Sequence, residues 1–172
     1  LAVEPDAFAA TASAMLIVGV AGELAAEKAQ GPGSFAAAIL EEAAAMTTQI
    51  TGETIPSDNP GTLAMGFRQP AGVCVGMAPW NAPVILGVRA IAMPLACGNT
   101  VVLKASELSP AVHRLIVDAF VEAGFPPGVV NFIAHSSADA PAVVEALIAH
   151  PAVKRVNFTG STRVGRRCSS KR

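Results

Sequence analysis

Three short polar segments carry the residue types that could do chemistry in this chain, and each follows an apolar run. In the first, Trp80 and Asn81 stand between Pro79 and Pro83, and proline stiffens a loop by fixing its φ angle. A rigidly held asparagine amide can donate a hydrogen bond to an oxyanion that develops during a reaction. The alternative is structural, with Trp80 filling the core and Asn81 capping a helix N-terminus.

In the second segment, Lys104 and Glu107 follow a β-branched run at residues 100–103. An acidic side chain just after a sheet strand can hydrogen-bond a nucleotide ribose, and its charge disfavours a 2′-phosphate. The neighbouring lysine can bind the same sugar. The alternative is a solvated ion pair at the end of a strand.

The third segment, residues 159–165, reads Thr-Gly-Ser-Thr-Arg-Val-Gly. Gly160 permits close backbone approach, and Ser161 can begin a helix whose free N–H groups and positive dipole end attract phosphate. The spacing matches neither G-x-G-x-x-G nor the P-loop, because no Lys-Ser or Lys-Thr follows Gly165. An ordinary capped turn is the alternative.

Alternating strands and helices must position these three segments. Apolar periodicity and turn residues between residues 72 and 158 predict four strands joined by three helices. This order predicts an α/β fold with a parallel sheet covered by helices, which binds ligands at the carboxyl ends of its strands. The predicted strands are residues 72–77, 100–104, 129–133 and 153–158, and the predicted helices are residues 83–96, 110–123 and 139–149.

Side-chain burial can also be predicted in this region. In the helix at 110–123, helical spacing puts Leu115 and four other apolar residues on the buried face and His113 near the polar face. Cys74 and Cys97 lie in apolar runs and are expected to be small core side chains. The three histidines show no metal-ligand spacing, so we expect all of them to be structural or exposed.

The N-terminal part of the chain is rich in alanine and predicts helices over residues 6–49, broken at Gly31-Pro32-Gly33. Ser34 is a plausible N-cap of the second helix. Residues 8–22 are uncharged, but a membrane span needs about 20 apolar residues, and no basic segment precedes them as in a signal peptide. Residues 51–60 are rich in turn residues, and residues 62–68 predict a short extended segment.

Charge and cysteine content exclude several classes of protein. With 13 acidic and 12 basic residues, the chain is not a general polyanion or polycation binder. Residues 151–172 are basic, which can indicate binding to nucleic acid or anionic lipid, but a solvated chain end is the simpler interpretation. Three cysteines at wide spacing indicate neither a disulfide framework nor a zinc site and fit a reducing cytoplasm.

Taken together and in this order, the motifs are highly specific over about residues 34–165. They are Pro79-Trp80-Asn81, then Gly98-Asn99-Thr100-Val101-Val102-Leu103-Lys104, then Glu122-Ala123-Gly124-Phe125-Pro126-Pro127-Gly128-Val129-Val130-Asn131, and then Phe158-Thr159-Gly160-Ser161-Thr162. This set resembles the aldehyde dehydrogenase superfamily. The segments at 47–53, 68–73 and 81–87 look most like its aromatic-aldehyde branch.

The resemblance implies a Rossmann-like NAD site and a role for each matching residue. Asn81 would be the side-chain donor of the oxyanion hole, and Lys104 and Glu107 would hold the adenosine ribose and favour NAD over NADP. Gly160 and Ser161 would meet the pyrophosphate at the helix N-terminus. The remaining cofactor-binding residues would be Met77, Ala78, Pro79 and Trp80 on the nicotinamide-ribose side and Thr162 and Gly165 beside the pyrophosphate.

The resemblance also implies a reaction and a division of the chain. In the family, a cysteine thiolate attacks the aldehyde, hydride passes to NAD, and a glutamate activates the water that releases the acid. The substrate would be an aromatic aldehyde such as salicylaldehyde, oxidised to its carboxylate. The implied parts are an N-terminal helical part at 1–51, a bridging and oligomerisation segment at 52–70, the NAD-binding core of an incomplete Rossmann-like sheet at 71–165 and a basic tail at 166–172.

The chain departs from the family pattern in three places. Ala105 stands where many members have proline, and His135-Ser136-Ser137 replaces a glycine-rich turn that usually flanks the adenine. The family's catalytic cysteine and general-base glutamate both lie beyond the position of Arg172. We therefore expect a truncated portion that by itself does not oxidise aldehydes.

These residues and motifs support two hypotheses for the function. The first is the cofactor-binding portion of a cytoplasmic, homo-oligomeric NAD-dependent aromatic aldehyde dehydrogenase that binds neither nucleic acid nor membrane. The alternative is a non-catalytic remnant that binds a nucleotide or associates with a dehydrogenase through residues 52–70. Because a parallel sheet is normally buried on both faces, we also expect the isolated chain to aggregate.

Overall fold

The computed structural model describes residues 33–169, in which strands and helices alternate after a first helix and a strand pair. The helices expected before residue 33 lie outside these residues. The elements are α1 (Gly33–Met46) with a 3-10 turn (Thr47–Gln49), β1 (Glu53–Ile55), β2 (Ala64–Gly66), β3 (Val73–Met77), α2 (Pro83–Ala96), β4 (Thr100–Lys104), α3 (Pro110–Glu122), β5 (Val130–Ile133), α4 (Ala140–Ala149), β6 (Val153–Phe158) and α5 (Thr162–Ser169).

The predicted parallel sheet is confirmed, with the four strands in the order β5-β4-β3-β6. The chain adds β4 and β5 on one side of β3 and then returns to place β6 on the other side. The strand order therefore reverses between β3 and β6, which is where ligands bind in open α/β sheets. β1 and β2 form a separate antiparallel pair.

Alternate side chains of the strands point to opposite faces of the sheet, and helices cover both faces. Cys74, Val101 and Leu103 pack in a core with apolar residues of α1, α2 and α3. Val75 and Met77 pack on the other face with Ile148 of α4 and with α5. Burial of both faces of the sheet explains why the strands are apolar on both sides, and it confirms the α/β class.

Local sequence explains how the elements around β3 begin and end. α2 starts with a proline in its first turn, where a missing N–H costs nothing, and it ends before Gly98, whose φ of +76° few other residues adopt. Gly76 lets β3 approach α2 closely, since a Cβ there would lie 3.0 Å from the Cβ of Ala90. Asn99 closes the α2–β4 corner, because its Oδ1 accepts from the Gly72 N–H and its Nδ2 donates to the Pro94 carbonyl.

Three predictions about burial are wrong. Leu115 is 60% exposed and His113 is fully buried. Ile116, Ala119 and Phe120 of α3 are buried as predicted. His113 and Val117 complete the buried face in place of Leu115, since residues 113, 116, 117 and 120 follow one another at spacings of three and four along the helix. Cys74 is buried as expected, but Cys97 is exposed, because it caps the C-terminus of α2 after the last buried turn.

Smaller differences concern element ends. α1 begins at Gly33, so Ser34 lies inside the helix rather than before it. The turn-rich stretch 51–60 contains β1, which pairs with the predicted extended segment. The last helix continues to Ser169, past the predicted start of the basic tail. No helix within residues 33–169 is long and apolar enough to cross a membrane, and residues 8–22 lie outside that range.

Candidate functional site

The ends of the four parallel strands form one row across the sheet. Met77 at the end of β3 pairs with Lys104 on one side and with Phe158 on the other, and Lys104 pairs with Ile133. The three polar segments singled out in the sequence therefore leave the sheet at the same edge, and two of them flank the position where the strand order reverses. This is the edge at which the predicted site should lie.

The loop after β3 carries Trp80 and Asn81 on its surface. Met77 and Ala78 are buried, whereas the Trp80 side chain is 59% exposed and Asn81 is exposed. The residue at the N-cap of α2 is Ala82. Neither structural alternative therefore holds, since Trp80 does not fill the core and Asn81 does not cap the helix. Both side chains are available to a ligand at the strand ends.

Lys104 ends β4 as a buried cation. Its side chain is 9% exposed, and its ammonium group donates to the Ala105 carbonyl at 2.9 Å. Burial lowers the pKa of Lys104, and the nearby charge of Glu107 partly opposes that shift. A solvated ion pair does not describe this pair, because the lysine is withdrawn from water while Glu107 is exposed.

A second partner of Lys104 was not expected from the sequence. Its Nζ lies within hydrogen-bond distance of Nε2 of His135, in the loop that follows β5. The backbone N–H of Ala105 donates to the Ile133 carbonyl, which extends the β4–β5 pairing past the last paired residues. The two loops leave the sheet side by side, so a residue 31 positions further along the chain reaches the lysine.

The loop after β6 lines a cavity of about 630 Å³ next to the first turns of α5. The Ser161 hydroxyl accepts from the N–H of Val164 at 3.4 Å, as in a capped turn. The Phe158 ring packs against this loop so closely that a Cβ on Gly160 would lie 2.6 Å from it. Glycine at 160 therefore makes room for the ring. The cavity is lined by Phe158, Gly160, Ser161, Thr162, Gly165, Arg166 and Ser169.

Two features beside the cavity could attract an anion. Arg166 is the one charged residue among those that line it, and the first turn of α5 opens into it. A helix N-terminus attracts anions through its free N–H groups and its dipole. Lys104 and Asn81 lie at the same sheet edge but do not line the cavity, so the candidate site extends beyond it.

His113 supports the loop that carries Glu107. Its Nδ1 accepts from the backbone N–H of Ser106 at 3.2 Å, and its ring is fully buried between α2 and α3. Burial lowers the pKa of His113, and the nearby charge of Lys104 lowers it further. The neutral form is therefore favoured, as an acceptor nitrogen requires. Sequence reasoning missed this role, because the helical spacing placed His113 near the polar face.

The described residues form no cluster of histidine, cysteine or carboxylate side chains that could hold a metal ion. Instead, they supply a buried cation and an acid at the end of β4, an exposed amide after β3 and a helix N-terminus after β6. These groups suit an extended ligand with a sugar and a phosphate group.

Comparisons with known proteins find relatives of this chain in both sequence and structure. The chain is 70% identical over 131 residues to a vanillin dehydrogenase of Pseudomonas sp. (strain HR199 / DSM 7063), a match that covers 76% of the chain and 27% of that protein. The chain thus spans about a quarter of the length of this curated relative.

Two solved structures are similar over nearly the whole chain. A salicylaldehyde dehydrogenase from Pseudomonas putida G7, in complex with salicylaldehyde, superposes with a TM-score of 0.85 at 38% identity and covers 98% of the chain and 38% of that protein. An NAD-dependent benzaldehyde dehydrogenase from Corynebacterium glutamicum gives a TM-score of 0.88 at 30% identity and covers 96% and 39%. The family model described as the aldehyde dehydrogenase family matches residues 11–172. The chain belongs to the aldehyde dehydrogenase family.

Proposed function

We propose that this chain is the NAD-binding portion of an enzyme that oxidises aromatic aldehydes to carboxylates. The observation that carries the proposal is the convergence of the Trp80-Asn81 loop, the Lys104–Glu107 segment and the N-terminus of α5 on one sheet edge. Such an edge, at a reversal of strand order, is the usual place for a dinucleotide. NAD would supply the hydride acceptor, and the residues described here would bind and orient it.

The adenosine end of the cofactor is assigned to the loop after β4. The ammonium group of Lys104 has three hydrogens, two of which point to Ala105 and His135, so one is free to bind a ribose hydroxyl. Glu107 is exposed beside it and can accept from the same sugar. Its negative charge opposes a 2′-phosphate, which favours NAD over NADP.

The pyrophosphate is assigned to the cavity beside α5. Backbone N–H groups in the first turn of a helix have no partner within the helix and can donate to phosphate oxygens. Ser161 and Thr162 bring these groups to the cavity, Gly160 and Gly165 leave room for the Phe158 ring below them, and Arg166 adds positive charge.

The reacting end is assigned to the loop after β3. Residues 77–80 would line the nicotinamide-ribose side of the site, and the amide of Asn81 would donate to the oxygen of the reacting aldehyde as negative charge develops there. Groups that stabilise such an oxyanion contribute about 3 kcal/mol each to lowering the barrier. Asn81 is thus the catalytic residue that the described part of the chain contributes.

The substrate class is inferred from the relatives. The three proteins compared above are named for vanillin, salicylaldehyde and benzaldehyde, each of which carries its aldehyde on an aromatic ring. We therefore propose an aromatic aldehyde as the substrate. The cysteines among residues 33–169 are thiols rather than disulfides, which fits a proposed location in a reducing compartment such as the cytoplasm.

The test uses the natural gene product that contains this chain. Calorimetry with NAD and NADP should show tighter binding of NAD, and absorbance of the reduced nicotinamide should rise faster with vanillin, salicylaldehyde and benzaldehyde than with acetaldehyde. Failure to bind NAD would overturn the assignment of the site. Binding of NAD without turnover of any aldehyde would favour the alternative, a nucleotide-binding module without catalytic activity.

A further inference from the structure

His135 is a loop residue at the strand ends to which the proposed function gives no role. It lies two residues after the end of β5, where it contacts the amine of Lys104. The lysine residue as a whole is only 9% exposed. A buried amine needs protein acceptors for its hydrogens, and the contact with His135 supplies one of them.

The hydrogen bonds of the imidazole fix its tautomer. Nδ1 of His135 lies 2.8 Å from the carbonyl oxygen of Ser136. A carbonyl oxygen only accepts, so Nδ1 must carry a hydrogen. In the neutral ring Nε2 then carries none, and it accepts from the ammonium group of Lys104. The doubly protonated ring would instead present a donor and a positive charge to the lysine.

The loop that carries His135 is itself held in place. The Ser136 hydroxyl donates to a carboxylate oxygen of Asp139 at 2.7 Å, and the backbone N–H of Asp139 donates back to that hydroxyl at 3.2 Å. These bonds close the turn that leads into α4. These bonds hold the loop, and with it the imidazole, in one position. The amine of Lys104, which contacts the imidazole, is therefore held in one orientation.

We propose that His135 is a positioning residue that orients the Lys104 amine toward the adenosine ribose, an inference that rests on the proposed function. Two hydrogens of the ammonium group are directed to Ala105 and His135, which leaves the third for the sugar. A lysine that must be turned toward its ligand at the moment of binding loses rotamer freedom, whereas an oriented one does not. His135 thus raises NAD affinity without touching the reacting atoms.

The experiment measures the Kd for NAD by calorimetry in the natural gene product. His135→Phe keeps a ring but removes the acceptor, and it should raise the Kd about 10-fold, because the released lysine would lose rotamer freedom when NAD binds. His135→Gln returns an acceptor and should stay within about 3-fold of the wild type. His150→Phe is the matched control, because this exposed histidine follows α4 at the other end of the helix.

A double-mutant cycle separates positioning from a general structural effect. In a Lys104→Met background, His135→Phe should cause no further loss of NAD affinity, since its only route to the ligand is through the lysine. The KM for NAD should rise with the Kd while the KM for the aldehyde stays unchanged.

Different outcomes overturn different claims. Unchanged affinity in His135→Phe, an equal loss in the Lys104→Met background, or equal losses in His135→Phe and His135→Gln would each overturn the positioning role. A wild-type protein that does not bind NAD would overturn the proposed function, and the inference would fall with it.

Discussion

At the scale of single residues, we propose that Glu107 decides which dinucleotide the site accepts. Glu107→Gln removes the negative charge but keeps an acceptor, so the ratio of NADP affinity to NAD affinity should rise about 10-fold, equivalent to about 1.4 kcal/mol. Calorimetry with both dinucleotides measures the ratio. Glu41→Gln removes an exposed carboxylate from α1 and should leave the ratio unchanged. A ratio that moves equally in both variants would assign the effect to net charge.

The buried His113 links stability to pH. Burial lowers its pKa in the folded state, so below the ordinary value of about 6.5 the unfolded chain binds a proton that the folded chain does not. The contribution of His113 to the free energy of unfolding is complete above that pH. It is lost as the pH falls toward the folded-state pKa, by up to about 1.4 kcal/mol per pH unit.

Urea unfolding at a series of pH values checks this prediction. His113→Gln does not titrate, and its free energy of unfolding should fall less steeply between about pH 6.5 and about pH 5 than that of the wild type. His150→Gln, at an exposed position, should keep the wild-type slope. Parallel curves for the wild type and His113→Gln would show that His113 does not titrate differently in the two states.

The sequence revealed the types of the site residues but not all their partners. Lys104, Glu107 and Asn81 could be singled out because each follows a strand of a predicted parallel sheet. The contacts of His135 and His113 could not be predicted, because they depend on which loops lie side by side and on the rotation of α3 about its axis. Leu115 and Cys97 were wrongly predicted to be buried because both lie within apolar sequence.

At the scale of elements, the close packing of α2 on α3 depends on Gly87. A Cβ at this position would lie 2.6 Å from Cδ1 of Ile116 and 2.9 Å from the ring of His113. Gly87→Ala should therefore lower the free energy of unfolding by about 1–3 kcal/mol through overpacking, despite the better helix propensity of alanine.

Denaturant titration measures this effect, with Gly66→Ala as the matched control. The nearest atom to a Cβ on Gly66 is 3.7 Å away, an ordinary contact, so this variant should change stability by less than about 0.5 kcal/mol. An unchanged stability of Gly87→Ala would mean that the two helices can separate without cost.

The elements themselves were largely predictable where the proline and glycine residues that limit them agree with the apolar periodicity. The helix Pro83–Ala96 and the strands Thr100–Lys104 and Val153–Phe158 have the predicted bounds, because Pro83, Gly98 and Gly160 mark their limits. β1 was hidden in a turn-rich stretch, since three residues are too few to show alternation and their burial pattern is uniformly exposed.

At the scale of the whole molecule, the β1–β2 pair presents an apolar surface. Leu63 and Phe67 are 71% and 72% exposed, and Ile55 and Met65 are each 49% exposed. Patches of this kind mark protein–protein contacts in soluble proteins. Residues 52–70 remain our proposed oligomerisation segment, with a second copy of the chain as its partner.

Sedimentation of the natural gene product tests this assignment. The paired change Leu63→Lys and Phe67→Lys should yield smaller assemblies than the wild type, because buried lysines without partners oppose association. Leu115→Lys, at a position that is 60% exposed on α3, should leave the assembly size unchanged. Wild-type assembly in the double variant would place the interface elsewhere.

The pairing of β3 with β6 has a consequence for folding. Val73 pairs with Val153 only after three helices and two strands have been made between them, whereas β4 and β5 each join a strand that precedes them closely in the chain. Long-range pairings bear the largest loop-closure entropy and form slowly. We therefore expect β6 and the proposed phosphate site beside it to be completed last. A dinucleotide bound across the ends of β3, β4 and β6 would then act as a clamp that holds β6 against the three strands formed earlier.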